Sequence, residues 1–324
     1  MATLPQILAD IRQTMLLEHN TDRSILIIGG CGYIGSALFR FLEKKHCYHI
    51  DTVDTEWFGN HINPRNYAID IANITESFLS RYAVIILLAG HSSVSMCYND
   101  PLGAFNNNVT HFIELLSKLT PSQRFIYASS SSVYSGASTE IYTEDSFKSY
   151  YPLNTYDLSK WEIDLYAQLG KLSYYGLRFG TVCGASPNLR IDLMINAMYH
   201  TAKTDRIINL YHPEIHRPIL GMTDLCRAVE SIILAPEDKS GIYNLASFNT
   251  TAHNIAQSVS KHTKTKIHRK TPPSEIQPYS FSISSEKFCT TFAFSFQDTV
   301  QTIIQDLDIH YTSTQNKAIR DRKP

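Results

Sequence analysis

Short apolar runs alternate along the first 180 residues with segments in which apolar positions recur at helical spacing. The short runs are typical of strands buried on both faces, and the periodic segments are typical of amphipathic helices. Because strands that alternate with helices build right-handed βαβ units, the pattern predicts an α/β fold with a doubly wound parallel sheet. Strands are predicted at residues 24–28, 48–53, 67–71, 83–89, 124–128 and 173–179, and helices at 34–44, 104–119 and 156–169.

Two parts of the chain lie outside this alternation. Residues 4–17 carry leucine, isoleucine and methionine at helical spacing, which predicts an amphipathic helix in an N-terminal extension of residues 1–23. We expect that helix to pack on its own subunit or on a partner subunit. After about residue 181 the pattern loosens into short helices and loops rich in proline, asparagine and histidine.

Composition narrows the possible functions. The chain has 324 residues, of which 43% are apolar and 18% charged, with a formal charge of −1. The balanced charge argues against a nucleic-acid partner, and no apolar stretch is long enough to span a membrane. The N-terminus lacks the basic start and unbroken apolar run of a signal peptide. The six scattered cysteines form no CxxC pair, so we expect free thiols. Together these features predict a cytoplasmic protein. The thirteen histidines show no metal-ligand spacing, and no metal site is predicted.

A glycine-rich turn follows the first predicted strand. Gly29, Gly32 and Gly35 form GxxGxxG between that strand and the first helix. The first glycine permits the tight turn, the second lets the backbone approach a pyrophosphate, and the third lets helix and strand pack closely. The helix N-terminus adds N–H donors and the positive end of a dipole. With an acidic residue downstream, this spacing predicts a dinucleotide site.

Residues after the next two predicted strands are candidates for the adenosine end of that dinucleotide. Asp54 lies about 20 residues after Gly35, where a carboxylate hydrogen-bonds the ribose hydroxyls. It favours NAD over NADP because it would repel a 2′-phosphate, and the alternative is that it caps a loop. Asp51, inside the strand, is a weaker candidate. Asp70 and Ile71 could border the adenine.

Tyr156 and Lys160 form Tyr-x-x-x-Lys within a predicted helix, so their side chains share one helix face. An ammonium beside the phenol favours phenolate, which predicts a lowered pKa for Tyr156, and Lys160 could also hold a nicotinamide ribose. Such a tyrosine exchanges a proton with a sugar hydroxyl while hydride moves to or from a cofactor. One of the four serines at 129–132, which follow a predicted strand, would hydrogen-bond the same oxygen.

Six motifs, taken in order, carry a resemblance to a known family. They are GGCGYIG, LAGHSSV, NNNV, YASSSSVYSG, YDLSK and LRFGTVCG. The order resembles that of the extended short-chain dehydrogenase/reductase family, especially its nucleotide-sugar epimerases and dehydratases, over roughly residues 24–312. The resemblance implies an NAD-binding Rossmann domain at 24–180 plus about 219–246. It also implies a smaller C-terminal α/β substrate-binding domain at about 181–218 plus 247–324.

The resemblance implies the catalytic set Ser130, Tyr156 and Lys160, because the family's hydroxyl lies three residues before the valine of the Val-Tyr pair. Ser131 and Ser132 would line the sugar pocket or support the loop. The resembling 4,6-dehydratases place an Asp-Glu pair at these two positions, since eliminating water needs a further acid and base. The serines argue against dehydration, so the expected activity is NAD-dependent C4 epimerisation through a transient 4-keto sugar.

The resemblance also implies binding residues outside the catalytic set. Asn108 would steady the loop near the cofactor, with helix capping as the alternative for the asparagine run. Arg217 would clamp the substrate diphosphate with its planar guanidinium, although Pro218 replaces the family's usual Asp. Other implied cofactor contacts are Tyr33, Ile34, Leu88, Ala89 and Gly90, and other implied substrate contacts are Ser92 and Asn196 with, more loosely, Arg190 and Asp192. Arg178 and Asp224 are expected to be structural. No substrate contact is assigned to Thr181, because the family commonly has asparagine at that position.

Two alternatives to an epimerase use the same motifs. One is an NAD(P)H-dependent reductase of a keto-sugar or another carbonyl compound, with an exchanging cofactor. The other is a catalytically silent nicotinamide-binding protein, against which the intact Ser130, Tyr156 and Lys160 argue. The resemblance implies a nucleotide-diphosphate sugar as the substrate and a homodimer formed through the helices around 108–118 and 156–169.

Overall fold

The computed structural model describes residues 24–310 apart from 63–64, 135–136, 150, 171, 237 and 272–278. The predicted N-terminal helix at 4–17 lies outside the described residues. The strands are β1 (Ser24–Ile28), β2 (His49–Val53), β3 (Asn66–Tyr67), β4 (Val84–Leu87), β5 (Arg124–Ser130), β6 (Ala137–Tyr142), β7 (Ser173–Phe179), β8 (Thr181–Cys183), β9 (Ile207–Leu210), β10 (His216–Gly221), β11 (Gly241–Leu245), β12 (Phe248–Thr251), β13 (Lys266–Arg269) and β14 (Ser280–Ile283).

Helices connect most of these strands. They are α1 (Tyr33–Glu43), α2 (Glu76–Leu79), α3 (Val94–Asn99), α4 (Pro101–Phe105), α5 (His111–Ser117), α6 (Thr155–Leu169), α7 (Met194–Thr204), α8 (Met222–Ile233), α9 (Ala252–Thr263), α10 (Glu286–Phe292) and α11 (Val300–His310). Short 3₁₀ turns form at Ile71–Asn73, Ser131–Tyr134 and Glu144–Ser149. The helix predicted at 104–119 is interrupted, because a π-helical turn at Asn106–Thr110 separates α4 from α5.

Seven strands form a parallel sheet in the order β11-β7-β5-β4-β1-β2-β3. The order reverses between β1 and β4, as in a doubly wound fold, so the α/β prediction is confirmed. The predicted third strand is much shorter than expected. It ends at Tyr67, and Asp70 starts a 3₁₀ turn by accepting a hydrogen bond from the Ala72 N–H at 2.9 Å.

The central strand β1 is buried on both faces, which explains its unbroken apolar run. Ile25 and Ile27 pack into the core on one side of the sheet, where α1 and α8 also contribute side chains. Leu26 and Ile28 point to the opposite side and pack with residues from α5 and α6. Successive side chains of a strand alternate between faces, so one short run serves two cores.

The other described strands form smaller sheets. They pair β8 with β10 and β10 with β12, β9 with β13, and β6 with β14. The chain returns to the main sheet at β11 before it enters β12. The division into two domains stays a prediction. Within the described ranges, every helix is too short or too polar to cross a membrane.

Candidate active site

The three glycines of the first loop have different structural roles. Gly29 has φ +92°, and a Cβ there would lie 2.4 Å from the Ala89 backbone nitrogen, so no other residue fits this turn without strain. A Cβ on Gly35 would lie 2.1 Å from the Gly29 carbonyl oxygen, because helix α1 packs directly on the loop. At Gly32 the nearest atom to a Cβ is 3.3 Å away, and this residue borders a pocket. The loop therefore packs closely against Ala89 and helix α1 at Gly29 and Gly35, and it borders the pocket at Gly32.

This glycine-loop pocket is walled by the ends of β1, β2 and β4. Asp54 lies at the end of β2, where its carboxylate accepts hydrogen bonds from the Cys31 N–H at 3.0 Å and the Glu56 N–H at 2.7 Å. Burial raises its pKa, and these hydrogen bonds oppose the rise. The Gly32 backbone N–H also stabilises the charged carboxylate. A carboxylate has about four acceptor positions, so at least one remains for a ligand. The pocket is lined by Gly29, Gly32, Tyr33, Ile34, Gly35, Asp54, Trp57, Asp70, Ile71, Leu88, Ala89, Gly90, Ser92 and Arg190, among others.

Asp51, the weaker candidate, lies away from this pocket. Its carboxylate accepts a hydrogen bond from the Tyr82 hydroxyl at 2.7 Å and lies 3.4 Å from the His49 imidazole. Trp57 and Phe58, which sequence reasoning missed, line the pocket in the loop after β2. Only their aromatic character, in a segment without periodicity, could have drawn attention to them.

The loop after β4 is held in place by Asn108. Its amide oxygen accepts a hydrogen bond from the His91 N–H at 2.8 Å, and its amide nitrogen donates to the His91 carbonyl at 3.1 Å and to the Ser159 hydroxyl at 3.0 Å. A Cβ on Gly90 would lie 2.5 Å from the Asn108 oxygen. Asn108 therefore joins the loop that carries Leu88, Ala89 and Gly90 to helix α6, and its side chain is buried behind the pockets.

A second, serine-loop pocket shares Tyr33, Ile34, Ser92, Arg190 and the 88–90 segment with the first. Ser130 ends β5, and its hydroxyl lies 2.8 Å from that of Ser132 and accepts a hydrogen bond from the Ser132 N–H at 3.2 Å. Ser130 also hydrogen-bonds Tyr156. The remaining lining includes Ser131, Lys160, Thr181, Arg217, Tyr279 and Phe281. The predicted catalytic set thus meets in one pocket beside the glycine loop.

Lys160 lies one turn after Tyr156 on α6, with its Nζ donating to the Ala128 carbonyl at 2.9 Å. The side chain is buried, which lowers its pKa to about 8. Burial raises the pKa of Tyr156, while the hydrogen bond with Ser130 and the charge of Arg190 oppose that rise. The predicted lowering of this pKa by Lys160 is wrong in direction, because desolvation dominates. The phenol is therefore held protonated near neutral pH in the protein alone.

A buried polar network fixes the strand that carries the serines. The Asp164 carboxylate accepts hydrogen bonds from Ser129 at 2.9 Å, Tyr127 at 3.1 Å and the Arg178 Nε at 2.7 Å. Arg178 also donates to the Tyr134 hydroxyl at 2.6 Å. Ser129 and Arg178 lie behind the pocket and hold β5, β7 and α6 together, so their part is structural.

Asn196, a predicted substrate contact, and Asp224, a predicted structural residue, both make hydrogen bonds within the protein. Asn196 is 1% exposed, and its amide accepts from the Gly184 N–H at 3.0 Å and donates to the Tyr33 hydroxyl at 3.0 Å and the Arg190 carbonyl at 2.8 Å. All its polar atoms are used, so it positions the neighbouring loop. Asp224 accepts hydrogen bonds from the backbone of 297–298, as a structural carboxylate would.

Arg217 lines the serine-loop pocket beside an aromatic ring. Its guanidinium lies 5.5 Å from the centroid of Tyr279, and burial lowers its pKa to about 10. Tyr279 donates to the Asp157 carboxylate at 2.6 Å and so attaches this wall to the start of α6. Sequence reasoning missed Tyr279 and Phe281, because no motif surrounds them.

Comparison with known families gives one broad match. The family model described as "NAD dependent epimerase/dehydratase family" matches residues 25–246, from β1 to just past β11. The matched range contains both glycine-loop and catalytic motifs.

Curated relatives include several epimerases. Protein CapI of Staphylococcus aureus is 30% identical over 65% of this chain and 70% of its own length. UDP-glucose 4-epimerase of Mycoplasma genitalium is 30% identical over 50% of this chain and 53% of its own length. ADP-L-glycero-D-manno-heptose-6-epimerase of Pseudomonas aeruginosa is 28% identical over 73% of this chain and 78% of its own length. The match to the UDP-glucose 4-epimerase thus spans about half of that protein.

Solved structures share the fold. UDP-glucuronic acid 4-epimerase from Bacillus cereus, solved with UDP-glucuronic acid and NAD, superposes with a TM-score of 0.77 at 20% identity, covering 93% of this chain and 100% of that one. TunA, an NAD-dependent NDP-hexosamine 5,6-dehydratase, gives 0.77 at 19% identity, covering 92% and 100%. At such identities the likeness establishes the fold and leaves the reaction open.

Proposed function

Because the chain belongs to the NAD-dependent epimerase/dehydratase family, we propose that it inverts the C4 centre of a nucleotide-diphosphate sugar. The observation that carries this proposal is the convergence of Ser130, Tyr156 and Lys160 in the pocket that Arg217 also lines. That pocket adjoins the glycine-loop pocket through shared walls, as a cofactor and a substrate that exchange hydride require.

The residues of the glycine-loop pocket fit NAD. Gly32 borders this pocket at the N-cap of helix α1, where a pyrophosphate must approach backbone N–H groups. Asp54 lines the pocket with at least one acceptor position left for a ribose hydroxyl, and Trp57 and Ile71 form an apolar wall for an adenine. When bound, NAD supplies the acceptor and donor of the hydride that leaves and returns to C4.

Tyr156 would move the proton of the C4 hydroxyl. As phenolate it removes that proton during oxidation, and as phenol it returns one during reduction. Because burial raises its pKa, only a small fraction of Tyr156 is phenolate at neutral pH in the protein alone. Ser130, hydrogen-bonded to Tyr156, would hold the same oxygen.

Lys160 would contribute charge and position. Its Nζ is fixed by the Ala128 carbonyl, and an ammonium has two further N–H donors for a ribose hydroxyl or the phenolate. Since its pKa is about 8, part of the population loses this charge in mildly alkaline solution. Occupation by a negatively charged ligand would raise that pKa again.

Elimination of water is disfavoured by the lining of the serine-loop pocket. Dehydration needs a second acid–base pair near the sugar, and Ser131 and Ser132 occupy the positions where the resembling 4,6-dehydratases carry Asp and Glu. No aspartate or glutamate of the described chain lines this pocket. Proton transfer is therefore left to Tyr156, which suits epimerisation.

A homodimer is part of the proposal. Helix α6 leaves four large apolar side chains exposed, Leu158, Leu165, Tyr166 and Leu169. A monomer gains nothing by exposing such a row, and a second copy packed on α6 would bury it. Analytical ultracentrifugation with a Leu165→Glu variant tests this, and a wild-type monomer at micromolar concentration would contradict it.

The function is tested by the fate of C4 in a panel of nucleotide sugars. We expect NMR to show a product with inverted C4 configuration and no lasting change in NADH absorbance. Tyr156→Phe should lower kcat at least about 100-fold, the scale of a lost general acid–base, while NAD affinity stays within about threefold. Tyr211→Phe, which removes a hydroxyl from an exposed tyrosine outside both pockets, is the control. Normal turnover by Tyr156→Phe would overturn the mechanism, and stoichiometric cofactor consumption would indicate the reductase.

A further inference from the structure

Tyr279 joins two walls of the serine-loop pocket that come from distant parts of the chain. The guanidinium carbon of Arg217, in strand β10, lies 5.5 Å from the centroid of its ring. Its hydroxyl donates to the Asp157 carboxylate at 2.6 Å, in the first turn of helix α6. Asp157 directly follows Tyr156 in the sequence. One side chain therefore contacts both the proposed diphosphate clamp and the helix that carries the proposed acid–base.

The Asp157 end of this link is held in one orientation. Asp157 is fully buried, and Asn154, the N-cap of α6, accepts a hydrogen bond from its backbone N–H at 3.0 Å. The Asn154 amide nitrogen donates to the Asp157 carboxylate at 2.7 Å and also to the Tyr279 hydroxyl. Because a buried carboxylate is costly to leave without its donors, the hydroxyl of Tyr279 is tied to the start of the helix.

The Arg217 end depends on the same tyrosine. Burial lowers the pKa of Arg217 to about 10, and among the described residues Tyr279 is the neighbour that opposes this effect. The face of an aromatic ring attracts a guanidinium, so the ring keeps the cation at this wall. The chain beside the pair is also fixed, because the His216 N–H donates to the Ser280 hydroxyl at 3.1 Å. The position of the guanidinium thus follows the position of the ring.

We propose, on the basis of the proposed function, that Tyr279 is a positioning residue that fixes the place of the substrate diphosphate, held by Arg217, relative to Tyr156. A nucleotide sugar is anchored through the diphosphate on C1 and reacts at C4, on the opposite side of the sugar ring. A displacement of the anchor therefore displaces the reacting carbon, and about 1 Å of misplacement can cost about 100-fold in rate. The link from Arg217 through Tyr279 to Asp157 ends one residue from the acid–base, so the anchor and the acid–base keep one spacing.

The first test separates the hydroxyl of Tyr279 from its ring. Tyr279→Phe keeps the ring beside Arg217 and removes the hydrogen bond to Asp157. We expect kcat for C4 inversion to fall about 10-fold, because the sugar is misplaced against Tyr156, while the nucleoside diphosphate still binds within about twofold of wild type. The binding probe is whichever of UDP, ADP and dTDP the wild-type protein binds in a calorimetric titration. Tyr279→Leu, which also removes the ring, should weaken that binding about 3- to 30-fold, the range of a lost cation–π contact.

A double-variant cycle tests whether both ends act through one hydrogen bond. Asp157→Ala should lower kcat as Tyr279→Phe does, and the double variant Tyr279→Phe/Asp157→Ala should lower it no further than either single change. Asp157→Asn keeps an acceptor oxygen for the Tyr279 hydroxyl, so its kcat should stay within about threefold of wild type. Tyr211→Phe, which removes a hydroxyl from an exposed tyrosine outside both pockets, is the matched control.

The outcomes distinguish the positioning role from the proposed function. Normal kcat in Tyr279→Phe, or losses that add in the double variant, would overturn the positioning role and leave epimerisation standing. A Tyr279→Phe protein that loses diphosphate binding and kcat together would show a general disturbance of the pocket, which also overturns it. A wild-type protein that inverts C4 in no nucleotide sugar would overturn the proposed function itself.

Discussion

Replacement of Lys160 by methionine should make the folded protein more stable at neutral pH while it abolishes activity. Lys160 is only 8% exposed, and its burial lowers the pKa from its ordinary 10.5 to about 8. A difference of about 2.5 pKa units corresponds to about 3 kcal/mol of penalty on the charged form, at 1.36 kcal/mol per unit. Loss of the hydrogen bond to Ala128 offsets about 1 kcal/mol of the gain. The net expectation for Lys160→Met is about 2 kcal/mol more stability at pH 7.

The pH dependence follows from proton binding. Between pH about 8 and 10.5 the unfolded chain keeps the Lys160 proton while the folded chain has lost it, so wild-type stability rises with pH in that window. The penalty is fully present below pH 8 and is removed as pH approaches 10.5. The advantage of Lys160→Met over wild type must therefore shrink across the same window, because methionine does not titrate.

The assay is urea unfolding followed by circular dichroism at pH 7, 8, 9 and 10. Bound NAD must first be removed, since a ligand of the native state adds its own stabilisation. Lys261→Met is the matched control, as this exposed lysine near the end of α9 should change stability by less than about 0.5 kcal/mol. A less stable Lys160→Met protein at pH 7, or a difference that does not vary with pH, would refute the reasoning.

The remaining predictions concern the loop and the buried network. Gly32→Ala should keep the fold within about 1 kcal/mol but weaken NAD binding at least about tenfold in a calorimetric titration, because Gly32 lines the pocket where the backbone must approach the pyrophosphate closely. Gly29→Ala should cost more than about 2 kcal/mol in denaturant unfolding, because it combines φ +92° with a backbone clash, and equal stability of the two variants would contradict this. Arg178→Met should cost about 3–5 kcal/mol by leaving the Asp164 carboxylate buried and unpaired, and the double variant Arg178→Met/Asp164→Leu should recover much of that loss.

The features that could be predicted from sequence depend on local spacing. GxxGxxG between a strand and a helix fixes a turn that only glycine fits at Gly29 and Gly35, and the structure places both as predicted. The Tyr156–Lys160 spacing fixes their shared helix face, whatever the rest of the chain does. The serines could be located because they end a buried strand.

The features that escaped prediction depend on distant packing. The pKa of Tyr156 is set by burial and by Arg190, which is far away in sequence, so the direction predicted from Lys160 alone was wrong. Strand β3 ends early because Asp70 captures a backbone N–H, a competition that β-propensity does not include. Trp57 and Tyr279 lie in loops whose positions the sequence pattern does not define.

The most direct test of the account follows one labelled atom. A nucleotide sugar carrying deuterium at C4 is incubated with the enzyme, and the product is analysed by NMR and mass spectrometry. Epimerisation predicts inverted configuration with the deuterium still at C4 and none lost to solvent. Deuterium found at another carbon, or left on released cofactor, would contradict the proposed function.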